Sequence, residues 1–298
     1  MLDLRPVGYV IGLLVAILGA TMFLPMLIDI AEGNGHWVVF LECGVLTILV
    51  GGLIALSCAN SVGQGLNLQQ TFLLTTGVWL ALPIFGALPF VLGETQLNFT
   101  DAFFESMSGL TTTGSTVLSG LEFLPRGLLL WHGLLQWLGG IGIIVVAMVF
   151  LPELRVGGMQ IFRSEGFDTF GKILPRATEI SSRISVIYIA LTMACAICYA
   201  ATGMNAFDAT VHAMTTVATG GFANYDISFG AFDSGSKYVA VVFMLLAALP
   251  FVRFVQLTSG EVQPLFRDTQ IRGFFATLAL LVLILTLFQL SQVGGSVE

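Results

Sequence analysis

Two short runs carry residue types that can hold a monovalent cation briefly and then release it. They are 110–116, Leu-Thr-Thr-Thr-Gly-Ser-Thr, and 217–223, Val-Ala-Thr-Gly-Gly-Phe-Ala, and neither contains a formal charge. Hydroxyl and backbone carbonyl oxygens can replace an ion's hydration shell, and without a carboxylate the ion is not trapped. Aiming successive carbonyls at one axis needs backbone angles, φ above zero among them, that a Cβ resists, so glycine belongs there. The expected ligands are Thr111, Thr112, Thr113 and Gly114 in the first run and Ala218, Thr219, Gly220 and Gly221 in the second. One such run alone is an ordinary turn. Its recurrence in register gives it weight.

A shift of 107 residues lays one run and its surroundings on the other. Asp101-Ala102 falls on Asp208-Ala209, Met107 on Met214, Ser108 on Thr215, Thr112 on Thr219 and Gly114 on Gly221. Each unit reads as apolar span, amphipathic half-helix, Thr/Gly loop, apolar span. The half-helices, near 100–110 and 207–217, are expected to open with Asp101 and Asp208 as caps for the unpaired N–H groups. About eleven residues at 1.5 Å each cover roughly 16 Å, half a bilayer, so the chain enters and must return. Irregular backbone at that depth persists only where it lines a wet cavity or is buried in protein. The negative end of each half-helix dipole then points at the cavity and attracts a cation. An even number of crossings separates the units, so they run in one direction, unlike the inverted repeats of many secondary transporters.

The elements that must position these loops are apolar helices. The chain is 56% hydrophobic and 10% charged, where a soluble domain averages about 25% charged. Seven stretches are long enough to cross a hydrocarbon core about 30 Å thick, near 7–30, 37–57, 70–92, 127–151, 184–203, 238–257 and 273–293. The expected fold class is an all-α integral membrane protein of about seven transmembrane helices with two re-entrant pore-helix and filter loops. The first stretch has no small-residue cleavage site and reads as a retained helix.

Charge orients the bundle. Nine of the 11 Lys and Arg residues fall at one end, among them Arg155, Arg163, Lys172, Arg176 and Arg183 within 152–183. The positive-inside rule puts that end, and the N-terminus, in the cytoplasm. The opposite end gathers Glu32, Glu94, Asp101, Glu105, Glu122, Asp208, Asp226 and Asp233. Such a field concentrates cations, or simply solubilises polar loops. The net charge of −7 lies mostly there, and no basic patch suggests nucleic acid.

Other candidates carry less. Ser115, His132 and His212 could be imagined as the nucleophile and bases of an intramembrane hydrolase, but nothing in the spacing brings a base to Ser115. His212 matches Glu105 in the repeat, which suits a packing role in the half-helix. Cys195 and Cys198 spell C-x-x-C in mid-span without a basic neighbour, and read as packing residues. Glu42 lies inside the second span, near enough to its outer end to reach headgroups. The Gly8 and Gly12 pair, and glycines 139, 140 and 142, suit close helix contact. A secondary cation transporter with broken helices also predicts polar loops at this depth.

Longer motifs resemble the TrkH/KtrB/HKT superfamily of potassium transporters, the TrkH branch most closely. They are FFESMSGLTTTGST at 103–116, QWLGGIGIIVV at 136–146, GGMQIFRSE at 157–165, FDA at 207–209, HAMTTVATGGF at 212–222, LPFVRFVQ at 249–256 and PLFRD at 264–268. The resemblance implies four span, pore-helix, span units around a pseudo-fourfold axis, preceded by two leading helices. The leaders would be 1–60, the first unit 61–151, a cytoplasmic linker 152–183, the second unit 184–257, and an incomplete third unit 258–298. Two walls cannot close a four-walled filter. The sequence therefore reads as a fragment of a longer protein, or as a chain that assembles with other chains or copies.

The same resemblance implies potassium as the substrate, held at the eight loop residues, with no covalent cofactor and no catalysis. Gly114 supports potassium, since serine at that position accompanies sodium transport in some plant relatives. Ser115 is a small-for-small departure from the pattern. The resemblance further implies a bacterial cytoplasmic (inner) membrane location, a homodimer, and a cytosolic TrkA-like nucleotide-binding subunit facing the basic segment.

Overall fold

The computed structural model describes residues 3–61, 66–154 and 177–294. Among them every regular element is helical, as the hydropathy requires. Four of the expected basic residues, Arg155, Arg163, Lys172 and Arg176, and the motif at 157–165 lie outside the described residues.

The chain divides into two units, Met1–Ala247 and Ala248–Glu298. The first opens with α1 (Arg5–Thr21) and α2 (Phe23–Glu32), which together form one apolar span of 28 residues. Gly33, at φ 72, ends α2 in the left-handed conformation that glycine adopts without penalty. The chain then returns as α3 (Trp37–Ser57). Glycines let these leaders touch backbone to backbone. A Cβ on Gly12 would meet Ala55 N at 2.6 Å, and one on Gly19 would meet Gly44 O at 2.9 Å. The small-residue expectation holds for Gly8 and Gly12. Glu42 lies on the exposed side of α3.

The first repeat follows as α4 (Leu68–Gly86), α5 (Leu88–Leu92), the half-helix α6 (Phe99–Leu110) and the long α7 (Arg126–Leu154). Asn67 and Gln70 form a reciprocal capping box that starts α4. At 29 residues α7 spans roughly 44 Å, more than a hydrocarbon core. Its Trp131 is fully buried among Phe40, Phe90 and Leu135, and its indole N–H donates to Gly86 O at 3.0 Å. The second repeat has α8 (Ala177–Ala201), the half-helix α9 (Ala206–Val217) and α10 (Ser234–Ala247). Phe99 and Leu110 fall on Ala206 and Val217 under the same 107-residue shift.

The second unit holds α11 (Phe251–Thr258), α12 (Gln263–Arg267) and α13 (Thr269–Gly294). The span expected at 238–257 is thus not one helix. Pro250 lacks an N–H and biases Leu249 away from helical angles, so α10 ends and α11 starts anew. Asp268 closes the turn before α13. It accepts from Arg253 Nε at 2.6 Å and from Gln270 N at 2.7 Å. Partial burial works to raise its pKa, but Arg253 and the backbone donors win and hold the carboxyl below its ordinary range.

The contact between α1 and α3 makes a paired prediction. A Cβ on Gly51 would meet Ala16 N at 2.5 Å, whereas one on Gly52 would meet nothing within 4 Å among the described residues. Gly51→Ala should destabilise the purified protein by about 1–3 kcal/mol. Gly52→Ala should be neutral, or stabilising by up to ~1 kcal/mol from helix propensity. Thermal unfolding in detergent measures both, and equal shifts would contradict the packing described.

Candidate functional site

Each half-helix is started by the same device, and it is not the one expected. Asn98 and Asn205 are the N-caps, accepting from Asp101 N at 3.0 Å and Asp208 N at 2.9 Å. Their side-chain amides donate back to the same aspartates, at 2.6 and 2.7 Å. Asp101 and Asp208 therefore sit in the first turn rather than at the cap, where their charge still suits the positive end of the dipole.

At the other end the two loops repeat one backbone path. Thr111 and Ala218 close the helices at φ −82 and −71. Thr112 and Thr219 then take φ 55 and 56, and Gly114 and Gly221 take φ 76 and 84. Left-handed angles thus fall on alternate residues. That alternation turns successive peptide groups the same way, carbonyls to one side and N–H groups to the other. For a β-branched threonine the conformation costs about 1–3 kcal/mol, and such strain concentrates at functional sites.

The N–H groups are anchored to protein. Thr113 N donates to Ser108 O at 2.9 Å, and Gly220 N to Thr215 O, its repeat equivalent, at the same distance. Ser115 N donates to Ser108 Oγ at 3.0 Å. Among the described residues, no hydrogen bond ends on a carbonyl of 111–114 or 218–221. The eight predicted residues therefore present unspent acceptors.

The structure also brings the two loops together. A Cβ on Gly114 would collide with the carbonyl oxygen of Gly220, so the runs approach as closely as backbone allows. Helix α7 packs against both. Gly139 lets it lie against the carbonyl of Leu110, and Gly140 lets it lie against Ala218. Among the described residues nothing lies within 4 Å of a Cβ on Gly142, so close contact is seen there for Gly139 and Gly140.

The braces behind the loops were only partly visible in the sequence. Glu105, fully buried, accepts from Val117 N at 2.9 Å and shares a 2.5 Å hydrogen bond with His132 Nε2. His212, its repeat equivalent, faces Asn224 N at 3.4 Å through Nε2, and its Nδ1 lies 2.8 Å from Asp208 O. One position thus performs one task with a carboxylate in the first repeat and an imidazole in the second. Gln136 Oε1 accepts from Phe222 N at 3.1 Å. As the lone amide in an apolar span, Gln136 was the available signal.

Two members of the expected acidic field are corrected by this. Glu105 is sealed behind the loop, and Asp208 is 4% exposed, taken up by Asn205, Asn224 and Tyr225. Of the remainder, Glu32, Glu94 and Glu122 line a cavity of about 390 Å³ together with Arg126. Arg126 pairs with Glu32 at 2.6 Å and lies over the Phe207 ring at 5.3 Å. The hydrolase constellation is not assembled. His132 is taken by Glu105, His212 by backbone, and neither is hydrogen-bonded to Ser115.

Apolar spans around paired half-helices with strained, acceptor-rich loops define an all-helical integral membrane protein of the re-entrant-loop type. The sequence matches the family model TrkH, described as cation transport protein, over residues 36–294, and the chain belongs to that family. It is 40% identical over 289 residues to the Trk system potassium uptake protein TrkI of Halomonas elongata, covering 96% of this chain and 58% of that protein. It is 38% identical to TrkH of Escherichia coli K12, covering 95% of this chain and 59% of that one. The crystal structure of the potassium transporter TrkH from Vibrio parahaemolyticus superposes with a TM-score of 0.86 at 34% identity, over 97% of this chain and 60% of that one. The chain thus spans about three-fifths of the relatives it matches. They are transporters, not enzymes.

A tie between the repeats gives a test. Asp226, beyond the second loop, accepts from Leu121 N at 3.0 Å and Gly120 N at 2.7 Å, beyond the first. Those donors hold its carboxyl below the ordinary value of 3.8. A depressed acid contributes its stabilisation above the unfolded pKa and loses it as pH falls through the folded one. The tie should be complete at neutral pH and survive below pH 3.8. At pH 7, Asp226→Asn should speed hydrogen exchange at Gly120 and Leu121 while leaving α6 and α9 protected, and unchanged exchange would refute the tie.

Proposed function

We propose that this chain supplies two walls of a potassium-selective filter in a Trk-type uptake transporter of the bacterial inner membrane. The observation that carries the reading is the shared backbone path, with left-handed angles at Thr112 and Gly114, and again at Thr219 and Gly221. Both loops spend their donors on protein and keep their carbonyls for an ion. The potassium transport named for the relatives supports the choice of ion.

The filter ligands are the carbonyls of Thr111, Thr112, Thr113, Gly114, Ala218, Thr219, Gly220 and Gly221, and the ion is substrate rather than cofactor. The remaining walls come from sequence like that of the relatives beyond the matched portion, on the same chain or on another copy. The domain boundaries given above follow that division. The N-terminus faces the cytoplasm, as do the basic residues Arg253, Arg267 and Arg272. The cytoplasmic end would meet a TrkA-like nucleotide-binding subunit, and the assembly would be a homodimer.

The test is potassium uptake in cells that lack their own uptake systems, using the protein expressed from its complete gene. Gly114→Asp puts a side chain where the Gly220 carbonyl lies, at an angle that only glycine takes cheaply. Uptake should fall by more than about tenfold, a loss of ~1.4 kcal/mol or more at the filter. Unchanged uptake and unchanged ion preference would sink the assignment.

A further inference from the structure

His132 and Gln136 stand one turn apart on the same face of α7, within the first repeat, and both reach the second. The His132 ring stacks on Phe222 with centroids 3.5 Å apart and planes at 24°. Gln136 Oε1 holds the backbone N–H of that same Phe222 at 3.1 Å. One residue of the second loop, directly after Gly221, is therefore gripped at its ring and at its backbone by a helix of the first unit.

Both grips lead back to the first loop. His132 is bonded to Glu105, which holds Val117 N. The amide of Gln136 fills the space where a Gly220 side chain would stand, and a side chain on Gly114 would begin 3.4 Å from its Nε2. The amide is fully buried, and among the described residues Nε2 has no hydrogen-bond partner. An unpaired buried donor is costly, so apolar packing alone does not account for a glutamine here. An amide that spans the gap between two loops does.

We propose that Gln136, with His132, is a positioning clamp that fixes the separation of the two adjacent filter walls, and that potassium-over-sodium preference depends on it. The inference rests on the filter reading above. Preference in a carbonyl cage follows the size of the cage and the number and field strength of its oxygens. Wall separation sets the size of that cage and which oxygens reach one ion together, and Gln136 acts on it through Phe222 N.

The experiment measures rubidium and sodium uptake, with the amount of protein in the membrane, for the protein expressed from its complete gene. Gln136→Met keeps the length and removes the bond to Phe222 N. The rubidium-to-sodium ratio should fall by about fivefold or more, with less change in rubidium uptake itself. Gln136→Glu keeps an acceptor for Phe222 N and should retain more of the preference than Met does. Phe222→Leu removes the ring partner of His132 and should lower the ratio in the same direction, so the clamp remains testable if the Met variant fails to accumulate. A parental ratio in every variant that accumulates, alongside lost uptake in Gly114→Asp, would overturn the clamp and leave the filter standing. A parental ratio in Gly114→Asp as well would overturn the filter reading instead.

Discussion

The molecule depends on where its loop backbone spends its hydrogen bonds. A half-helix that stops inside the membrane leaves peptide groups that lipid cannot satisfy. Here the N–H groups turn back onto Ser108, Thr215, Glu105, His212 and Gln136, and the carbonyls are left over. An array of unspent carbonyls is unfavourable in hydrocarbon and suitable for a partly dehydrated cation. The strain at Thr112 and Thr219 is borne because those anchors over-determine the path.

The anchors converge on α7. Glycines 139 and 140 bring it against the ends of both half-helices, and a Cβ on Gly133 would meet Val211 Cγ1 at 2.8 Å. Trp131, on another side, locks it to Gly86 and to the leader helices through Phe40. One long helix thus carries the packing of the first unit and the alignment of the second loop. The leaders add support from outside, since buried Asp29 on α2 accepts from Gly127 N, at the start of α7, at 2.8 Å.

Much of this architecture was legible in the residues. Apolar length gave the spans, and the recurrence of Asp-Ala, Met and Gly at a fixed offset gave the half-helices to within one residue. The caps were misplaced because Asn98 and Asp101 are both good capping residues, and only the first turn of the helix decides between them. The 107-residue shift pairs Glu105 with His212, but their common task of holding a loop N–H does not show in residue types so chemically unlike. Left-handed angles at Thr112 and Thr219 run against intrinsic preference, which assigns them to glycine, so only the folded backbone displays them. The break near Pro250 was readable from a proline within an apolar run, but hydropathy alone passed over it.

The central claim is that the two loops bind the same ion. Anomalous diffraction from crystals of the complete transporter grown in rubidium would locate that ion directly. The account predicts rubidium among the carbonyls of 111–114 and 218–221, touching oxygens from both loops. Ordered rubidium that contacts neither loop, with the filter otherwise well defined, would contradict it.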